Sequence, residues 1–550
     1  MVFSSDKQTE ENILHLLKNL EARVAAIEDR LNIESKSTDY TEKPDSKLSP
    51  LTEAPSDNME FHIGEFWFAK VGIVILALGI AFLLTFPYQN IPAGFPIIIG
   101  YLLVTGIAVI SHLWRKTFSL ISRYLLGGGL ILLYFTTLRL HYFSVESIIE
   151  NSIIETSLLL LVVCINLYVA LRRKSVYLSI VTFTLGFITA IISALPLFMF
   201  TILSVLAGLC VFIQKKYQWH YLLHFGIILT YFSHFIWFIN NPFLGHKIQL
   251  VSTPLYNIYF ILFYAVIFSL ASLLRPKDLD EDNNLALSMF LNSFGSYGLY
   301  LIITLTQFQD HLALNHFLAA ILFLSFSVLY WKRGNGKYTT SLYAIVGYMS
   351  LSVAIIALFE LPDSFIWLSW QSLLVITTAI WYRSKFIIFA NFFIYIIIFI
   401  SYLFIAGTVH VVSLSFGFVA LISARLLNWQ KERLELKTEL MRTSYLAAAF
   451  FMFPYALYHT VPGGYVSLSW VGVAGFYYLL SLILKNKKYR WMALLTFMLA
   501  VVYLLLIGTI NFDPVFRLIS FIVLGLTLII VSLLYTKFRN KINSQNSTQT

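Results

Sequence analysis

The sequence predicts an all-α protein: a polytopic transmembrane helical bundle of about eighteen spans, preceded by a short cytosolic coiled coil and a disordered linker. Three observations predict it. The 550 residues are 58% hydrophobic and only 12% charged, with a mean hydropathy of +0.77, more apolar than a water-soluble core requires. Apolar runs long enough to cross a ~30 Å hydrocarbon layer follow one another at short intervals. Lysine and arginine collect in alternate loops between those runs, the pattern that sets membrane topology.

The first element is residues 1–33. Ile13, Leu17, Leu20, Val24, Ile27 and Leu31 step by alternating fours and threes, the 3.5-residue period that keeps an apolar seam facing a partner helix. Leu17, Val24 and Leu31 take the a positions, and Ile13, Leu20 and Ile27 the d positions. Glu21 and Glu28 then fall at e with Arg23 and Arg30 at g, so a parallel pair sets Arg23 against Glu28 of its neighbour. Residues 13–31 are therefore expected to join a second copy or a cytosolic partner. At about three heptads the segment is short, and a lone amphipathic helix lying on the membrane is the alternative.

Residues 34–60 read ESKSTDYTEKPDSKLSPLTEAPSDNM and on, polar and proline-bearing with few large aliphatics. Such a segment buries too little surface to fold and reads as a flexible tether. Residues 61–540 form the polytopic domain, with a first run near 67–86 and a last near 515–536. The closely spaced runs over 176–213 leave a re-entrant pair as an alternative to two crossings. Residues 541–550 read as a disordered cytosolic tail.

The basic loops fix the expected orientation. Arg115 and Lys116, Arg172 to Lys174, Lys215 and Lys216, Arg275 and Lys277, Lys332 and Arg333, Arg383 and Lys385, Lys431 to Lys437, and Lys485 to Arg490 follow alternate runs. The intervening loops, such as PYQNIPAG, ELPDS and TVPGG, are nearly bare of them. Both termini are thus expected in the cytoplasm, in contact with the lipid bilayer between. The first sixty residues hold no apolar core followed by a small-residue cleavage site, so the N-terminus is expected to stay where it is made. The net charge of +10 is spent on these loops and does not gather on one face, so no nucleic-acid partner is expected.

Two stretches carry a resemblance. GEFWFAKVGIVILALGIAFLL, with Gly64, Trp67, Gly72, Gly79 and Phe82, and SRYLLGGGLILLYF, with Gly127, Gly128, Gly129, Leu133 and Tyr134, follow the coil and linker in order. This resembles the bacterial predicted membrane proteins grouped as domain of unknown function 2339 (DUF2339) over roughly the first 200 residues. The family often carries a Lys after the first span's aromatic end and an Arg opening the second; here Thr85 and Phe95–Pro96 stand nearby. The resemblance implies a many-span architecture in the bacterial inner membrane and brings no established activity.

Candidate sites are few. Gly127, Gly128 and Gly129 fall in mid-membrane, where glycine allows close helix crossing, and Gly72 and Gly79 share a face of the first span; an unwound, cavity-lining segment is the alternative. Ionisable residues inside the bilayer are costly and mark functional hypotheses. Arg139, His141, Glu146, Glu150 and Glu155 cluster around one outward loop, with Arg139 and Glu155 placed to pair across a hairpin. His220 and His224, one turn apart, are a weak metal candidate with nothing acidic beside them in sequence; His234 follows on the same run, and His311 and His316 are weaker still. Cys164 and Cys210 lie in apolar runs and read as buried thiols. No phosphate-binding or dinucleotide glycine loop and no GxSxG occurs, so no cofactor is expected. The leading functional reading is a non-enzymatic, envelope-associated membrane component organised through its coil. A transporter or flippase for a lipid-like or amphipathic substrate is the alternative, followed by an envelope glycan or lipid transferase.

Overall fold

In the computed structural model the described residues run from 94 to 508, except 143–146, 194, 252, 275–281, 335, 406–410 and 431–437, with a few positions on either side. The chain divides into two units, Met1–Phe68 and Ala69–Thr550. The first unit lies outside the described residues, as do the C-terminal ten residues and nearly all of the first apolar run, so the expected coil seam from Ile13 to Leu31, the expected linker and the expected tail fall outside them.

The described part of the second unit is helical, and no strand occurs among its described residues. In chain order the helices are α1 (Gly94–Leu113), α2 (Ser119–Leu138), α3 (Ser152–Arg172), α4 (Val176–Ile192), α5 (Pro196–Tyr217), α6 (His220–Phe238), α7 (Asn257–Leu273) and α8 (Asn283–Gln307). They continue as α9 (Leu312–Arg333), α10 (Lys337–Leu358), α11 (Ser364–Tyr382), α12 (Lys385–Ile405), α13 (Val411–Trp429), α14 (Glu439–Thr460), α15 (Gly463–Leu484) and α16 (Lys487–Tyr503).

The turns between them follow capping chemistry. Asn151, Ser175, Asp282 and Asn486 each accept a backbone N–H of the helix that follows, which satisfies a donor the first turn leaves open. Gln218, Gly334, Arg383 and Lys485 close α5, α9, α11 and α15 in the left-handed conformation, reversing the chain within a few residues.

Thirteen helices among the described residues are long and apolar enough to cross a membrane, against about eighteen expected. The first and last runs fall outside the described residues. The helices α4 and α7 have only 17 residues each, about 26 Å of axis against a ~30 Å hydrocarbon layer. The remaining helix, α14, is diluted by Glu439, Arg442, Pro454 and three tyrosines. The 176–213 stretch is two separate helices, with Pro196 opening α5.

Two large hydrophobic clusters make the core. One runs from Phe183 on α4 to Val346 on α10; the other from Ala344 on α10 to Ala493 on α16. They meet at the α9–α10 hairpin, the most closely joined pair in the bundle. Many large apolar side chains point outward instead, Phe404 being 85% and Ile483 74% exposed. A surface so apolar suits lipid rather than water.

Two of the basic helix ends lie near each other. Burial, and after it the charges of Arg115 and Arg172, hold the Arg173 guanidinium below its usual value. The α1–α2 turn and the end of α3 are therefore within electrostatic reach of each other, as alternating crossings require.

Candidate functional site

The outward loop expected to carry a site starts where α2 ends. Arg139 caps α2, its N–H bonded to the Phe135 carbonyl at 3.1 Å. The chain then folds back: the N–H groups of Ile148 and Ile149 both donate to the Leu140 carbonyl at 3.0 Å, and His141 Nδ1 donates to the Ile149 carbonyl at 2.6 Å. That bond commits His141 to positioning the loop. Asn151 next caps α3, and Glu155 sits in its first turn, where the helix dipole favours a negative charge.

Arg139 and Glu155 are almost wholly buried, at 2% and 1% exposure. The structure does not join them: among the described residues neither Glu155 carboxylate oxygen has a hydrogen-bond partner, and both are buried. Glu150 is exposed, and Glu146 lies outside the described residues. Burial, and after it the Glu155 charge, raise the Tyr142 phenol above its ordinary value, so the loop tyrosine lies within electrostatic reach of Glu155. A buried carboxylate without a donor costs free energy. Glu155→Gln is accordingly expected to leave thermal stability unchanged or raise it by about 1 kcal/mol; a loss of that size in a melting experiment would mean that the carboxylate is held by a donor.

The glycine run sits within an unbroken α2. A Cβ on Gly127 would meet Leu178 of α4 at 3.1 Å, and one on Gly129 would meet Ile107 of α1 at 2.8 Å, so these two glycines admit neighbours on two sides. Gly128 continues the helix between them. Gly72 lies outside the described residues, and a Cβ on Gly79 would meet nothing within 4 Å.

The histidine pair is separated by its partners. His220 Nε2 lies 3.3 Å from Asp282, an acidic neighbour that sequence distance concealed, and His224 Nε2 donates to the Asn284 carbonyl at 2.7 Å. Both histidines tie α6 to the start of α8. Among the described residues no group of three or more His, Cys, Asp or Glu is placed to hold a metal. His234 is buried and stacks on Phe200 with ring centroids 4.6 Å apart. Cys210 is buried as expected, while Cys164 is exposed on the bundle surface.

The most connected polar cluster was not singled out in the sequence. Tyr231 of α6 donates to Asn292 Oδ1 at 2.7 Å; Asn292 Nδ2 reaches the Ala265 carbonyl at 3.0 Å and Tyr343 at 2.9 Å. Ser269 and Tyr343 hydroxyls are 2.6 Å apart, and Tyr330 donates to the Ser269 carbonyl at 2.7 Å. Four helices, α6, α7, α8 and α10, are thus tied through one amide, and Tyr330 adds α9 through Ser269. Above it His316 bonds Thr304 Oγ1 at 2.9 Å and Tyr297 at 3.3 Å, while Ser350 donates to its carbonyl at 2.7 Å. Thr304 already donates to Tyr300, so His316 Nε2 carries the proton and Nδ1 accepts from Tyr297.

Three grooves open on the bundle surface among the described residues. One of about 610 Å³ is lined by Phe450, Tyr455, Tyr458, Trp470 and Met498. A second, about 350 Å³, lies among α8, α10, α11 and α12 and sets Ser352, Gln371, Ser372 and Asn391 within an apolar wall. A third, about 540 Å³, lies between α5 and α7 with Lys215 and Lys216 on its lining. Arg139 and Glu155 line none of them.

Long apolar helices, an apolar exterior and polar groups closed within the bundle define a multi-pass helical membrane protein. The chain belongs to the family described as Predicted membrane protein (DUF2339), whose model matches residues 64–458. The match extends well past the first 200 residues, to near the end of α14, and begins after the coil and linker. No curated protein and no solved structure matches the chain.

Proposed function

We propose that this chain is a non-enzymatic component of the bacterial inner membrane, a scaffold or envelope-associated factor with both termini in the cytoplasm. In this reading residues 13–31 couple it to a second copy or a cytosolic partner. The observation that carries the proposal is the Asn292 cluster: polar side chains deep in the bundle bond one another, where a carrier would keep them for a substrate or ion. The alternating basic loops support the orientation.

A second reading rests on the groove among α8, α10, α11 and α12. Its wall on α12 extends from Ile387 to Ile398, about 16 Å of helix, enough for much of one acyl chain, with Gln371 and Asn391 as polar footholds. That arrangement fits a flippase or carrier for a lipid-like substrate. The transferase reading asked Arg139, His141 and Glu155 to converge by hydrogen bonds, and Glu155 makes none with its carboxylate oxygens.

One reconstitution separates these readings. Full-length protein in vesicles carrying a headgroup-labelled phospholipid is expected to leave transbilayer exchange, read by dithionite quenching, at the protein-free rate. Faster exchange that Asn391→Leu abolishes would replace the scaffold with the carrier. In the same preparation Leu20→Glu with Ile27→Glu is expected to reduce chemical cross-linking between copies or to the cytosolic partner, because a charge at d positions breaks the apolar seam. Cross-linking that survives both changes would remove the coil from the proposal.

A further inference from the structure

We propose that the groove between α5 and α7 is a binding site for an anionic phospholipid, with the headgroup phosphate at Lys215 and Lys216 and an acyl chain laid against Gly208. The wall is Gly208, Val211 and Phe212 from α5, and Ile267, Leu270 and Leu274 from α7, about 540 Å³ in all. It faces outward: Phe212 is 57% exposed and Leu274 46%.

Gly208 makes the depth. A Cβ there would meet no atom within 4 Å, so the space beside it is filled by no side chain of the surrounding helices. Where Gly129 and Gly347 meet a neighbour at 2.8 Å, Gly208, like Gly106 and Gly298, leaves room instead of closing a contact; of these three it is the one that lines a groove ending in two lysines.

Charge marks one end of the groove. Lys215 and Lys216 occupy the last turn of α5, seven and eight residues beyond Gly208, about 10 Å along the axis. The Lys216 ammonium lies 5.5 Å from the centre of the Tyr217 ring, which holds it beside the groove. Among the described residues neither lysine forms an ion pair. Topology alone accounts for lysines at a helix end, but it does not call for an unfilled apolar channel beneath them. A soluble anion would use the ammonium groups and leave that channel empty. A phospholipid uses both, and basic pockets between helices select anionic headgroups.

The test uses the full chain, stripped of lipid in detergent, with bound lipid counted by native mass spectrometry. Phosphatidylglycerol is expected to bind about tenfold more tightly than phosphatidylcholine. Lys215→Gln with Lys216→Gln should erase that preference while lipid of both kinds is still held. Gly208→Leu should lose both lipids with an unchanged melting profile, because its side chain enters open space. Equal binding of the two lipids by the unaltered chain would overturn the proposal. Retention of lipid by Gly208→Leu would overturn it as well, as would displacement of phosphatidylglycerol by glycerol phosphate at matched concentration.

Discussion

Gly347→Leu is expected to destabilise the membrane domain by about 3 kcal/mol or more, with Gly347→Ala costing roughly 1–3 kcal/mol. Gly347 lies on α10 where it crosses α9, and a Cβ there would stand 2.8 Å from Leu324 Cγ and 3.1 Å from the Leu324 backbone nitrogen. The side chain can turn away; the backbone cannot, so two helices that hold both hydrophobic clusters together must separate. Gly298→Ala supplies the control, since its Cβ would meet nothing within 4 Å. That change should be neutral or gain up to about 1 kcal/mol from helix propensity. Thermal unfolding of the two alanine variants in one detergent reads the difference, and equal midpoints would show that the α9–α10 crossing is looser than its geometry.

Asn292→Leu should cost about 2 kcal/mol. The amide bonds Tyr231, the Ala265 carbonyl and Tyr343, and single interhelical bonds in membranes contribute only about 0.6 kcal/mol on average. Most of the loss therefore comes from what stays behind. Tyr343 keeps Ser269, and the Ala265 carbonyl keeps the Ser269 hydroxyl at 2.6 Å. Tyr231 loses its 2.7 Å acceptor, and its buried hydroxyl is left with the Ser296 hydroxyl alone. Adding Tyr231→Phe should then recover about 1 kcal/mol, a coupling that a double-mutant cycle measures directly. Additive losses would mean that the cluster acts as separate contacts and does not unite α6 to α10.

These two predictions show where sequence reading stopped. Gly347 has no local signal that tells it from Gly298: both are glycines within apolar helices, and only the arrival of Leu324 from the facing helix makes one of them irreplaceable. Asn292 stands in LNSFGSYG, a run of small and polar residues that does signal close helix contact. Its partners come from Tyr231, Ala265 and Tyr343, as far as 61 residues away, so the bonds themselves were not legible. The His220–Asp282 contact was hidden in the same way, between residues that α6, α7 and their loops separate in the chain. Arg139 and Glu155 were found by a rule of cost: ionisable residues in an apolar chain are conspicuous. Their expected pairing depended on rotations of α2 and α3 that no single-chain pattern encodes.

The sequence by itself determined the class: helices of membrane-crossing length, their order, the sites of their turns and the alternation of basic ends. Those follow from the bilayer acting as solvent, which requires every backbone polar group to be satisfied within its own segment and so leaves little for distant residues to decide. The tertiary structure alone decided which glycines are contacts and which are cavities, which polar groups close on one another, and that the Glu155 carboxylate is buried without a hydrogen-bond partner among the described residues. In lipid an apolar side chain is equally well solvated by a tail or by a neighbouring helix, so hydrophobicity places a residue in the membrane without saying what it will touch.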